Sequence, residues 1–384
     1  MKLAEVHVLQ NLPPSALNRD EDGRPKSVWY GGVERLRISS QAQKRATRLL
    51  FRAMELLPPK ERAVRTRRLE ALFQDHLQNL PPEEARRLVR AVFGALGLGI
   101  KENGSGLQAE YLLFLSEEEV ARLAEVALRH RQALLALAGA LEAPQEGEKK
   151  GGKARGKAKA KEALAQEVRR ELEEALGKVG LELALFGRML ADRKDLGVEG
   201  ALAVAHAIGA TADPIDEDYF VAVDDLAGAH EAQAGMIEAR GFGAGTVYRY
   251  AVLDLGELEG LVGKERALLG LRAFLKAFPL ALPQGGRRAF AHEGPPEVVL
   301  VRLGRGLPRN LARAFASPVD PRGKDPALAS AERLLAYWER LDRVYGPLEG
   351  EWKGGVCLFE GLAFPMRESF PTLIEEAVAW ARSL

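Results

Sequence analysis

Apolar and polar positions alternate at the start of the chain. In MKLAEVHVLQNL, Val6 and Val8 fall on one face, the two-residue repeat of a strand. Residues 13–32, rich in Pro, Asp, Gly and Arg, read as a long loop or ribbon, and 33–38 (VERLRI) alternate again. The repeat then becomes helical. Ser40 offers an N-cap and Gln43, three residues on, a capping box. Gln41, Lys44, Arg45, Arg48 and Arg52 share one face of this helix, with Ala42, Ala46, Leu49 and Ala53 on the other. Helical spacing dominates 59–142, broken at Leu80-Pro81-Pro82 and in the glycine-rich 96–107, so a helical subdomain is expected there. ALAQEVRRELEEALGKV predicts one more helix after residue 161.

Farther on, 181–189 (LELALFGRM) predict a strand and ALAVAHAIG a helix. Residues 210–239, rich in Asp, Ala and Gly, show little core-forming pattern; so long a stretch inside a compact protein is usually functional. Strand 246–255, helix 264–278 and strand 298–303 follow, and the remainder is helical with loops. This order fits an α+β fold on a ferredoxin-like or RNA-recognition-motif core, with the helical block and 210–239 as insertions.

Composition narrows the function classes. Of 384 residues, 47% are hydrophobic and 28% charged, as in a globular protein. No apolar run is long enough to span a bilayer, and the N-terminal residues lack the pattern of a secretory leader. One cysteine, Cys357, excludes an internal disulfide scaffold and suits a reducing cytoplasm. The net charge is only +1, so nucleic-acid binding would depend on where the cations cluster.

One cluster is the basic stripe of the helix after Ser40, whose free N-terminal amides, with Ser39, also suit an anion. Arg19, Arg24, Lys26, Arg35 and Arg37 lie upstream of it. Residues 143–161 (APQEGEKKGGKARGKAKAK) are basic and low in complexity, hence expected to be disordered, either as a linker or as an arm on nucleic acid. Arg240-Gly241-Phe242-Gly243, before Val247 and Tyr248, partly matches an RNA-recognition signature in which Phe242 would stack a base. Tyr219 and Phe220 could stack or wedge between bases, or pack. The acidic run Asp213, Asp216, Glu217, Asp218, Asp224 and Asp225 lacks EF-hand spacing and reads as a solvated loop. The six histidines have no zinc spacing; His206 is expected in the core and His7 in a structural role. No catalytic, metal or cofactor site is expected.

Leu17-Asn18-Arg19-Asp20, Gly31-Gly32, Arg37-Ile38-Ser39-Ser40-Gln41, Lys44-Arg45-Ala46 and Arg48 together resemble the CasC-type backbone subunit of the type I-E CRISPR Cascade complex, in the RAMP superfamily. Gly187-Arg188-Met189, 203–208, Phe220 with 222–226, and Tyr248-Arg249-Tyr250-Ala251 are similar to it too. The resemblance covers nearly the whole chain, departs at 143–161 and loosens toward the C-terminus. It implies a modified RNA-recognition-motif palm (1–58, 181–200 and 241–384, with C-terminal helices), helical fingers (59–180) and a long thumb (201–240). It implies that several copies polymerise head to tail along a CRISPR RNA (crRNA) in antiviral defence, kinking it at regular intervals. Arg19, Lys26, Ser39, Gln41, Lys44, Arg45 and Arg48 would hold its backbone without reading sequence. Met189 and Phe220, with Met236 and Ile237, would wedge at the kinked bases. Target DNA would be met through the RNA–DNA hybrid, beside other Cascade subunits, with cutting left to a recruited helicase-nuclease and Asp224 and Asp225 structural. Two alternatives stay open: an endoribonuclease on a similar fold using His7, or Asp224 with a metal, and a DNA-binding protein without a guide.

Overall fold

The computed structural model describes residues 1–104, 106–142, 166–223 and 234–384; the 143–161 segment, Asp224 and Asp225 lie outside them. The chain forms two compact units, one of Met1–Leu56, Leu202–Gly260 and Lys264–Leu384, the other of Leu57–Ala201 and Leu261–Gly263. Residues 181–200 therefore cluster with the block before them.

The first unit begins with β1 (Lys2–Ser15), β2 (Ser27–Tyr30), β3 (Val33–Ile38) and α1 (Ser40–Ala53). The second unit holds β4 (Ala63–Arg68), α2 (Leu69–Phe73), α3 (Pro82–Ala95), β5 (Ile100–Asn103), β6 (Gly106–Ser116), α4 (Glu117–Arg129), α5 (Arg131–Glu142), α6 (166–177) and α7 (Leu181–Phe186). The chain returns to the first unit with β7 (Leu202–Val204), β8 (Ala207–Gly209), β9 (Asp216–Val223), β10 (Ala234–Asp254), α8 (Leu255–Val262), α9 (Lys264–Leu280) and α10 (Arg287–Phe290). It closes with β11 (Val298–Arg305), α11 (Pro326–Tyr345), β12 (Glu349–Cys357) and α12 (Phe370–Ser383).

An antiparallel sheet in the order β12-β11-β1-β10-β8-β3-β2 organises the first unit. β1 pairs with β10 from Leu3↔Asp254 to Leu12↔Gly245 and with β11 on its other side. Both faces are covered. Arg249 of β10 reaches the end of α9, whereas His7, Tyr248 and Tyr250 lie in the aromatic layer of Trp338 from α11. This explains why β1 is buried without interruption from Leu3 to Leu9 rather than on alternate residues. It also seals the sheet face that an RNA-recognition motif uses for stacking, since Tyr248 and Tyr250 are buried. Phe242 is half-buried beside Phe290.

Beyond the sheet, β10 continues into a two-stranded ribbon with β9, in register from Phe242↔Asp216 to Ala234↔Val223. The poorly patterned 210–239 region thus contains both strands of this ribbon.

Three expectations change. Within 201–209 the chain forms β7 and β8 with a short connection between them, not a helix: pairing with the interior of β10 overrides the helix propensity of the alanines. Residues 181–186 form α7 rather than a strand; all six are buried, and a helix buried on every side shows no polar stripe. The second unit is not all helical, because β4, β6 and β5 form an antiparallel sheet beneath its helices. Its core joins Phe73, Phe93, Leu123, Leu172 and Leu113. Each such side chain contributes roughly 1.5–3 kcal/mol on burial.

Candidate nucleic-acid interface

The N-terminal end of α1 is built by the 17–26 loop and the end of β3 that leads into the helix. Ser39, not Ser40, is the N-cap: its Oγ accepts from the Ala42 amide at 3.2 Å. Its own amide donates to Asn18 Oδ1 at 2.7 Å, stapling the 17–26 loop to the helix start. The Lys26 amide donates to the Asn18 carbonyl at 2.8 Å, and the Arg37 amide to the Lys26 carbonyl at 2.9 Å. Asp20 Oδ1 accepts from the amides of Asp22 and Arg24, tightening the loop. Arg19, Lys26, Ser39 and Gln41 are thereby gathered around one helix N-terminus. Arg19 and Gln41 are exposed, Lys26 is half-buried and Ser39 is buried.

The inward face of α1 departs from the expected one. Gln43, Ala46, Thr47, Arg48 and Phe51 are buried, whereas Ala53 is exposed and Ala42 and Leu49 are half-buried. Gln43 is no capping-box residue. Its amide donates to the carbonyls of Ile38 and Ala205, at 3.3 and 2.9 Å, and its Oε1 accepts from Arg249 Nε at 3.3 Å. A fully buried guanidinium needs acceptors, so a glutamine belongs inside this helix. Arg249 also donates to Gln10 Oε1 and to the carbonyls of Phe278, Pro279 and Ala281 at the end of α9. Burial lowers its pKa to about 9, leaving it charged at neutral pH. Sequence reasoning missed this group; its one signal is an arginine amid the apolar residues of 247–253.

The stripe itself narrows. Arg45 and Gln41 project into solvent, Lys44 is half-buried and Arg48 is buried, and both Lys44 and Arg48 are engaged by other groups of the chain. Turning Gln43 and Thr47 inward carries Arg48 to the edge of the packed face. Arg37 lies between Ser27 O and His206 Nδ1, each at 3.2 Å. His206 is exposed rather than in the core, because it lies in the connection between β7 and β8 and not on an apolar helix. His7 is buried with Nδ1 2.8 Å from Tyr248 Oη, and burial lowers its pKa to about 3.

The wedge residues sit on two separate bodies. Phe220, on β9, is half-buried with the Arg240 guanidinium 5.9 Å from its ring, and Tyr219 beside it is exposed. Met236 and Ile237 lie on β10 opposite Ala222 and Val221. Met189 belongs to the second unit, in the loop after α7, and is 88% exposed. Gly187, with φ +75°, makes that turn where an added Cβ would meet the Gly200 amide at 2.8 Å.

Asp213 is buried and accepts from the Thr211 hydroxyl; burial raises its pKa to about 6. Asp216, Glu217 and Asp218 are exposed on β9, with Glu217 paired to Arg24. Among the described residues no three of His, Cys, Asp and Glu converge to hold a metal ion, and no helix is long and apolar enough to cross a membrane.

Residues 4–368 match the family model described as CT1975-like protein. The chain belongs to the CT1975-like family. The match runs through both units of the CT1975-like fold. A chain described as "CRISPR RNA-guided surveillance complex, pre-nicking" superposes with a TM-score of 0.82 and 28% identity, covering 99% of this chain and 100% of that one. A second, "CRISPR RNA-guided surveillance complex", gives a TM-score of 0.71 and 25% identity over 98% and 99% of the two. No curated protein matches the sequence.

Proposed function

We propose that this CT1975-like protein is a structural subunit of a CRISPR RNA-guided surveillance complex, and specifically the CasC-type backbone of a type I-E Cascade. Copies line up head to tail on one crRNA, gripping its backbone and kinking it at regular intervals. The bound RNA is then ready to pair with target DNA, while other Cascade subunits complete the particle and a separate helicase-nuclease cuts. In this reading the first unit's sheet is the palm, the second unit the fingers, and the β9–β10 ribbon the thumb.

The observation that carries the reading is the stapled N-terminus of α1. Asn18 and Ser39, drawn from the motifs that resemble the family, are tied together with Lys26 by backbone and capping hydrogen bonds into one cation-flanked helix end. Free helix-terminal amides beside Arg19, Lys26, Lys44 and Arg45 suit phosphates of any sequence. The covered sheet face directs RNA to this periphery. The endoribonuclease alternative is weakened at His7, which is buried, neutral and hydrogen-bonded to Tyr248.

The test is purification from cells carrying a CRISPR locus, then sequencing of bound nucleic acid, for the wild type and Lys44→Glu/Arg45→Glu. Uniform repeat-spacer RNA in the wild type and its loss in the variant are expected. RNA cleaved at one position by the purified chain alone would overturn the reading.

A further inference from the structure

Arginines through most of the second unit are ion-paired. Arg86 and Arg90 bind Glu102, Arg122 binds Glu118, Arg129 binds Glu171, and Arg131 binds Glu84. Strand β4 is different. Arg65, Arg67 and Arg68 are all exposed, and none has a carboxylate within ion-pair distance among the described residues. β4 is also an edge of its sheet. Arg65 and Arg67 share the face turned away from the core, because Thr66 between them pairs with Leu113, a core residue. They stand two residues apart, about 6.6 Å along a strand, a spacing comparable to that of successive phosphates in an extended single strand. The Arg65 guanidinium already lies 4.9 Å over the ring of Phe114, which restricts its rotamers.

Apolar groups surface beside these cations. The β4–β6 register breaks between Thr66↔Leu113 and Arg68↔Gln108, so β6 bulges at 109–112 opposite Arg67. That bulge exposes Tyr111 and Leu112, which line a small cleft together with Met189. Unpaired cations along a line, with an exposed ring and aliphatic groups next to it, are the two components of a sequence-tolerant single-strand platform.

We infer that Arg65, Arg67 and Arg68 with Tyr111 and Leu112 form a binding surface for single-stranded nucleic acid, on a different unit from the α1 site. The arginines hold phosphates and the Tyr111 ring stacks on a base next to Met189. The competing explanation is that the arginines only guard an exposed sheet edge against self-pairing.

Fluorescence anisotropy of the full-length chain with labelled mixed-sequence 20-mers tests this, using single-stranded RNA, single-stranded DNA and duplex DNA. Arg67→Ser/Arg68→Ser and Tyr111→Ala are compared with wild type and with Lys44→Glu/Arg45→Glu, each checked for folding by circular dichroism. The double serine variant is expected to weaken single-strand binding about tenfold at low salt and to flatten the slope of log Kd against log salt by about one to two. Tyr111→Ala is expected to cost about tenfold with little change in slope. The RNA and DNA arms show which strand this surface prefers. Wild-type affinity in both variants, or a preference for duplex, sinks the inference; wild-type affinity with new aggregation in the serine variant establishes the edge-guard role. If Lys44→Glu/Arg45→Glu alone abolishes binding, the α1 reading stands and this one falls. The reverse pattern keeps this surface and removes the α1 site.

Discussion

Arg249 shows what a single side chain can decide. Its guanidinium is fully buried and joins β1, α1 and the end of α9 through five acceptors. Arg249→Met would fill much of the space and leave three carbonyls without donors, so a loss of about 3 kcal/mol or more is expected in urea denaturation. Asp213 gives a pH signature. Its folded pKa, about 6, lies above the usual carboxylate value, so its contribution is fully present below about pH 4 and lost as pH rises through 6. Asp213→Asn should therefore unfold at a higher temperature than wild type at pH 7 and show no such advantage at pH 4. At this scale the sequence was legible where a motif names the contact: Asn18 and Ser39 sit in the quoted motifs and prove to be bonded to each other. It was opaque at Gln43, whose burial follows from a strand arginine some two hundred positions away.

Among elements, the β2–β3 hairpin explains a glycine pair. Gly31 has φ +66° and a Cβ there would overlap the Ala316 carbonyl, while Gly32 has φ +84° with open space around it. Gly31→Ala is expected to cost about 2–4 kcal/mol and Gly32→Ala only about 1, measured by thermal melts. The loop after α7 has the opposite character. Met189→Ala should leave stability within about 0.5 kcal/mol, because the side chain is solvated, yet blur the regular nuclease-protection pattern of a bound guide. Strands VERLRI and 298–303 were readable because their pairing partners are regular. LELALF and ALAVAHAIG were not, since short apolar runs have no period that separates a buried helix from a strand; neighbours decide. The arginine-rich 63–68 stretch was misread for the related reason that an edge strand carries charge on its open face.

For the whole molecule, the mixed α+β class was readable from element order. The three-stranded sheet of the second unit was not, because its strands sit among strongly helical segments. On the backbone reading, lengthening the guide RNA should raise the mass of the purified particle in whole-subunit steps, as counted by mass photometry; a constant mass would contradict polymerisation. One strand gives this molecule a mechanical property. β10 runs 21 residues without a break, about 70 Å of chain, from the two-stranded ribbon to the middle of the sheet. It acts as a cantilever whose root is clamped. A pull along its axis loads the β1 hydrogen bonds in shear, all together, whereas a sideways pull at the tip peels the ribbon pair by pair. Tension transmitted down the strand would thus be resisted by the entire clamp, and bending would be absorbed in the ribbon before it reached the sheet.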